Sequence, residues 1–306
     1  MRFHKGTKSA YRSRVHFVTA TGSTANTIRE PEMLASSGGG EIALHNLGGE
    51  GPPLLFVHAT GFNARTYEPF VEPLLTHFSV WGPDLRAHGW STQPANGDYE
   101  WTSLASDLLM VADHLGISSG ELDCVGHSIG AATLLLADAM QPGLIRRMYG
   151  YEPVMWRPGE AFQPGENPLI AGARKRREVF ESRAEVFERF ATRPPFSLCR
   201  ADALHSYVTH AFEDLDDGTV RLRCRREDEA DTYDGERVST NDRIARCEAK
   251  VVLGKGMDQG FGNLGAPAAE ALANVRTISY PDLGHFGPLE APNRLASDAL
   301  DALLES

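Results

Sequence analysis

Gly126-His127-Ser128-Ile129-Gly130 lies between a short apolar run, Leu122–Gly126, and an apolar helical stretch, Ile129–Met140. A G-x-S-x-G run set between strand and helix puts its serine on a sharp turn, with the hydroxyl projecting from the end of a sheet. The two glycines are small, so neighbouring backbone can approach. The helix start that follows offers N–H groups and a partial positive charge to a developing oxyanion. A serine hydroxyl attacks a carbonyl well only when a base takes its proton. The candidate base is His285, in Leu283-Gly284-His285-Phe286-Gly287-Pro288-Leu289-Glu290-Ala291-Pro292. An imidazole titrates near neutrality, so it can accept that proton and later return it to the leaving group. The chemistry this pair predicts is acyl transfer to water.

The elements around the two residues follow from periodicity. Leu54–Ala59, Phe78–Trp81, Leu122–Gly126, Met148–Glu152, Val251–Leu253 and Val275–Tyr280 are short apolar runs bounded by Gly, Pro or Asp, and read as strands. Trp101–Leu115 repeats Leu104, Leu108, Val111 and Leu115 on one helical face and stops at Gly116. Asn293–Leu304 is a closing helix. Apolar strands alternating with helices imply an α/β fold with a mostly parallel central sheet, flanked by helices. Ligands in such folds sit at the carboxyl ends of the strands, where these motifs fall. Residues 155–246 interrupt the alternation and predict an inserted, mainly helical lid. Within it, Arg174–Ala191 and Ala201–Phe212 read as helices and Thr219–Cys224 as a short strand. The basic run at 173–177 precedes Glu178, Glu181, Glu185 and Glu188, and reads as a solvated, ion-paired helix face. The expected organisation is a flexible basic leader at 1–40, core at 41–154, lid at 155–246 and core again at 247–306.

On these motifs, residues 41–306 resemble the α/β-hydrolase fold superfamily, its serine esterase and lactonase members in particular. His58-Ala59-Thr60-Gly61-Phe62 stands where the family has His-Gly-x, with Ala59 in place of the glycine. The resemblance implies that the backbone N–H groups of Thr60 and Ile129 form the oxyanion hole. Asp84-Leu85-Arg86-Ala87-His88-Gly89-Trp90-Ser91 resembles a structural turn of the family, so Asp84, Arg86 and His88 are expected to bond loop backbone. The loop around His285 resembles the family's G-H-F-x-x-x-E-x-P loop.

The third member of such a site must bond the far imidazole nitrogen and hold the tautomer. Two positions compete. The usual family slot follows Val251–Leu253 in a G-x-x-D pattern. Here that slot is Met257, with Asp258 one residue late. A less common slot follows the strand after the nucleophile helix, as in haloalkane dehalogenases and a zearalenone-lactonase-like group, and Glu152 occupies it. Glu152 is the favoured acid and Asp258 the alternative. Phe62 and Trp156 are candidate pocket walls.

The chain of 306 residues is 42% hydrophobic with a net charge of −11, which disfavours nucleic acid as a partner. No apolar run approaches the roughly 20 residues that span a bilayer. Residues 1–29 hold six Lys and Arg and no acid, and lack the apolar stretch of a secretory signal. Their composition loosely resembles a transit peptide, though a mobile extension is the plainer reading. Cys124, Cys199, Cys224 and Cys247 are widely spaced, consistent with reduced thiols in a cytoplasmic protein. No GxGxxG, P-loop or H-E-x-x-H is present, and His205 and His210 have no second pair nearby, so neither cofactor nor metal is expected. Serine at 128 sets aside relatives of this fold that use an aspartate nucleophile. The expected substrate is an ester or lactone of a small apolar molecule; a homodimer is compatible with all of this. The alternatives are a carbon–carbon bond hydrolase, a cofactor-free perhydrolase, a hydroxynitrile lyase, and a non-catalytic ligand-binding relative.

Overall fold

The computed structural model describes residues 30–157, 159–235, 241–257 and 264–305. The leader at 1–29 and the alternative acid Asp258 lie outside the described residues. The strands are β1 (Glu32–Ala35), β2 (Glu41–Gly48), β3 (Pro53–Val57), β4 (Ser79–Pro83), β5 (Leu122–His127), β6 (Ile145–Tyr151), β7 (Val179–Phe180), β8 (Phe212–Asp214), β9 (Val220–Leu222), β10 (Lys250–Lys255) and β11 (Val275–Ser279). Eight of them form one sheet in the order β1-β2-β4-β3-β5-β6-β10-β11. The pairs from β4 to β11 are parallel; β2 joins β4 and β1 joins β2 in antiparallel fashion.

Both faces of this sheet are covered at its centre, which is why strand β3 is apolar at successive positions rather than at alternate ones. Leu54 and Phe56 of β3 point into one core layer, and Leu55 and Val57 into the other. Helix Pro292–Leu304 closes the first layer through Leu295, Ala299 and Leu303. Helices Trp101–His114 and Ile129–Met140 close the second through Leu104, Leu108, Leu134 and Leu135. Strand β5 is buried along its whole length, so the residue that follows it emerges at the middle of the sheet's carboxyl edge. Among the described residues, no helix is long and apolar enough to cross a membrane.

Two sequence expectations need correction. Residues 30–40, expected as the end of a flexible leader, are built into the sheet. Glu32–Ala35 pairs with β2, and the Ser-Gly turn after it is bonded inward. Ser36 Oγ donates to Asp107 at 3.0 Å and Arg86 Nη2 donates to Ser37 Oγ at 2.7 Å. The inserted region is also less helical than expected. Helices Pro168–Arg174, Arg183–Phe190, Ala201–His210 and Arg226–Asp234 surround a small antiparallel sheet, β7-β9-β8. The single helix expected over Arg174–Ala191 is broken by β7, and the chain restarts at Ser182, whose side chain caps the Glu185 N–H.

Candidate active site

Ser128 and Glu152 occupy equivalent places. Strands β5 and β6 run parallel with His127 opposite Tyr151, and each candidate is the next residue along its strand. Both turn sharply there: Ser128 has φ 57° and ψ −122°, and Glu152 has φ 47°. Holding non-glycine residues in such conformations costs about 1–3 kcal/mol each, so the surroundings must enforce them. The Ser128 N–H donates to the Tyr151 carbonyl at 2.9 Å, and the Glu152 N–H to the Gly254 carbonyl at 2.9 Å. Each turn is thus locked by the next strand. The flanking glycines leave no room for side chains. A Cβ on Gly130 would lie 2.2 Å from the Val57 carbonyl oxygen, and one on Gly126 would lie 2.6 Å from the Ala131 backbone.

The turn brings Ser128 Oγ to 3.1 Å from His285 Nε2. On the other side of the ring, His285 Nδ1 lies 3.8 Å from Glu152 Oε2, within ion-pair range and longer than a hydrogen bond. The Glu152 carboxylate is fully buried. It accepts the Gly256 N–H on Oε1 at 2.6 Å and the Leu264 N–H on Oε2 at 3.0 Å, which fix its orientation. Asp282 is held instead at the surface by Arg294 at 2.6 Å.

The loop carrying His285 is tied down at several points. Tyr151 Oη donates to the Gly284 carbonyl at 2.7 Å, and the Gly284 N–H donates to Glu290 at 3.0 Å. His127, the residue before the serine, lies with Nε2 at 2.7 Å from the His285 carbonyl oxygen. A carbonyl only accepts, so His127 Nε2 carries the proton and Nδ1 is the acceptor for Tyr67 Oη at 2.7 Å. The Tyr67 oxygen in turn accepts the Ala59 N–H at 3.4 Å. Burial, reinforced by His285, pushes the pKa of His127 far down and keeps the ring neutral.

That chain reaches the loop expected to hold the oxyanion. The Phe62 N–H bonds the Ala59 carbonyl at 3.2 Å, and the Gly61 N–H faces the Cys224 sulfur. Thr60 and Ile129, whose N–H groups the sequence offers for the oxyanion, line the same cavity as Ser128. The turn at 84–91 supports this loop from behind as expected. Asp84 accepts the N–H groups of Ala64 at 2.8 Å and Trp90 at 2.9 Å, and the Leu85 N–H donates to His58 Nε2 at 2.9 Å. His88 Nδ1 donates to the Arg86 carbonyl at 2.8 Å.

The cavity has a volume of about 500 Å³. Phe62 and Trp156 both line it, as do Trp101, Phe162, Phe196 and Phe286. Its polar wall escaped the sequence reading. Arg176 lines it, partly exposed and ion-paired with Glu229 of helix Arg226–Asp234; Arg176 Nη2 also donates to Tyr207 Oη at 3.0 Å. The two partners are 53 residues apart, so no local pattern announces them. The expectation of a solvated face at 173–177 therefore holds for Arg177, which pairs with Glu185 at 2.6 Å, and fails for Arg176. No group of three or more His, Cys, Asp or Glu that could hold a metal occurs among the described residues.

A sheet of this order, with a serine on the turn after its central strand and a histidine on the loop after its last one, is the arrangement of α/β hydrolases. A match to the alpha/beta hydrolase family covers residues 54–299, and the chain belongs to that family. It is therefore an enzyme of the α/β-hydrolase type. A 2-(acetamidomethylene)succinate hydrolase from Mesorhizobium japonicum is 28% identical over 170 residues, 56% of this chain and 58% of that protein. The chain thus spans under two thirds of that relative's length. A 2-hydroxymuconate semialdehyde hydrolase from Pseudomonas putida is 24% identical over 283 residues, 87% of this chain and 90% of the relative. Among solved structures, that of an E-2-(acetamidomethylene)succinate hydrolase superposes with a TM-score of 0.71 at 22% identity, covering 89% of this chain and 98% of that one. The last likeness is one of fold.

Proposed function

We propose that this protein hydrolyses a bond beside a carbonyl through a covalent acyl-enzyme on Ser128. His285 takes the Ser128 proton as Oγ attacks the carbonyl carbon. The tetrahedral oxyanion rests on the N–H groups of Thr60 and Ile129, a kind of contact whose removal typically lowers turnover by about 10²–10³. His285 then protonates the leaving group as the bond breaks. Water, deprotonated by the same ring, releases the acid and restores Ser128. Glu152 orients the imidazole and balances the charge it gains. The observation that carries this reading is the 3.1 Å contact of Ser128 Oγ with His285 Nε2 at the wall of an aromatic-lined cavity. The steps call for no cofactor.

The relatives support the carbon–carbon alternative over a plain ester or lactone. A 2-hydroxymuconate semialdehyde has no ester, amide or lactone, so a hydrolase acting on it breaks a carbon–carbon bond. The long coverage of that relative gives the alternative its weight. One feature favours the ester or lactone reading as a second possibility: the cavity wall is mainly aromatic and aliphatic. Turnover of a panel of short p-nitrophenyl esters, aromatic lactones and vinylogous 1,5-diketones, with wild type and Ser128→Ala, tests both. Hydrolysis of any member that disappears in Ser128→Ala supports the mechanism, and the preferred class assigns the bond. Turnover that survives the substitution rejects the mechanism.

A further inference from the structure

Among the described residues lining the cavity next to Ser128 there is one Arg or Lys, Arg176, and its charge is already matched. Arg176 Nη1 contacts Glu229 Oε2, and the side chains are 24% and 7% exposed. Both pack against the oxyanion loop: a Cβ on Gly61 would lie 3.1 Å from Arg176 Nη1 and 3.2 Å from Glu229 Oε1. Tyr207 and Tyr233 complete the cluster through Arg176 and Glu229, at 3.0 and 3.5 Å. The other charged residue lining the cavity is Glu290, half-buried beside His285, with its pKa raised chiefly by burial. Among the described lining residues, one guanidinium therefore stands against two carboxyl groups.

This balance has a consequence for what can bind. A carboxylate entering an apolar cavity loses its hydration, and only a cation free to pair with it offsets that loss. Arg176 can serve a second anion only by sharing its charge with Glu229 at close range, where like charges repel. A neutral group meets no such barrier. A carbonyl can accept from the remaining Arg176 N–H groups, and a hydroxyl can donate to Glu229. The relatives reported above are named for carboxylate substrates, a succinate and a muconate semialdehyde.

We infer that Glu229 is a specificity-determining residue that cancels Arg176 and restricts the cavity to uncharged substrates, aromatic or alicyclic, bearing one hydrogen-bonding group near the reacting carbonyl. This rests on the proposal that the cavity is the substrate site, and it deepens that proposal by naming the substrate class. It distinguishes this chain from relatives that act on carboxylates.

The test uses binding rather than turnover, so that its outcome is separate from that of the catalytic proposal. The probes are 3-phenylpropanamide and 3-phenylpropanoate, which differ only in charge, titrated calorimetrically at pH 7.5 into wild type, Glu229→Gln and the double variant Arg176→Gln/Glu229→Gln. Wild type is expected to bind the amide at least about tenfold more tightly than the carboxylate, a difference of about 1.4 kcal/mol. Glu229→Gln frees Arg176 and is expected to invert that preference. The double variant, again without net charge, is expected to restore it. Wild type that binds the two probes equally, binds neither, or prefers the carboxylate overturns the inference before any variant is made. A folded Glu229→Gln that keeps the wild-type preference also overturns it. Selective amide binding by a chain that hydrolyses nothing would reject the catalytic reading alone.

Discussion

His127 and His285 are joined by a 2.7 Å hydrogen bond from the Nε2–H of the first to the backbone carbonyl of the second. The bond ties the residue before the nucleophile to the loop that carries its base. Through Tyr67 the same imidazole also reaches Ala59, at the start of the loop that holds Thr60. Three parts of the site, which come from distant stretches of the chain, thereby share one buried neutral ring.

His127→Phe should consequently loosen His285 without touching Ser128 or the cavity floor. It leaves the Tyr67 O–H without its acceptor and the His285 carbonyl without its side-chain donor, a cost of about 1–3 kcal/mol each. Turnover is expected to fall by about 10–100-fold while KM changes little, because displacing a positioned catalytic group by a fraction of an ångström is enough. Steady-state kinetics together with a urea midpoint check this. A fall in stability with kcat intact would make His127 a purely structural residue.

Glu152→Gln keeps the shape of the acid and removes its charge. By analogy with other serine triads, kcat should drop by about 10³–10⁴. Asp258→Asn is expected to matter far less. Kinetics of the two variants rank the acids directly, and the opposite order would move the role to Asp258.

Much of this arrangement was legible from residue types, and the reasons are local. The G-x-S-x-G turn, the helix after it and the strand before it are adjacent in sequence, so Ser128 could be placed from a dozen residues. Helix Ile129–Met140 has the predicted bounds. The His285 loop follows a strand in the same direct way. Glu152 was harder because its role depends on how β6 aligns with β5, and register is a long-range property. The Arg176–Glu229 pair was invisible for the same reason. A run of arginines followed by glutamates suggests contacts at helical spacing, whereas Arg176 turns inward to a helix 53 residues on. Strand β1 is only four residues long, Glu32–Ala35, and mostly exposed at a sheet edge, too short a run for its alternation to show in the sequence.

Acid should weaken the fold through His58. Its Nδ1–H donates to the Ala59 carbonyl at 2.8 Å, and its Nε2 accepts the Leu85 N–H at 2.9 Å, so only the neutral ring fits. Burial, helped by the nearby His88, lowers its pKa to about 4. Between that value and about 6.5 the unfolded chain binds more protons than the folded one, so stability falls as pH falls. The loss from this residue approaches about 3 kcal/mol once the pH is below both values. Urea midpoints at pH 7.5 and pH 4.5 should show a steep acid-side decline in wild type and a shallower one in His58→Gln. Equal slopes would assign the acid sensitivity elsewhere.

Gly130→Ala tests why the serine turn needs its second glycine. The added methyl would meet the Val57 carbonyl oxygen at 2.2 Å, and backbone must move to relieve it. The expected loss is at least about 3 kcal/mol of stability, read from chemical denaturation. Wild-type stability in this variant would show that the helix start can back away from β3.

The central claim is that the Ser128 hydroxyl, activated by His285, is the attacking group. Reaction with a fluorophosphonate followed by peptide mass analysis tests it most directly. The account predicts one adduct, on the peptide containing Ser128, absent from Ser128→Ala and strongly slowed in His285→Ala. An unlabelled Ser128 in folded protein, or labelling that persists in Ser128→Ala, would contradict it.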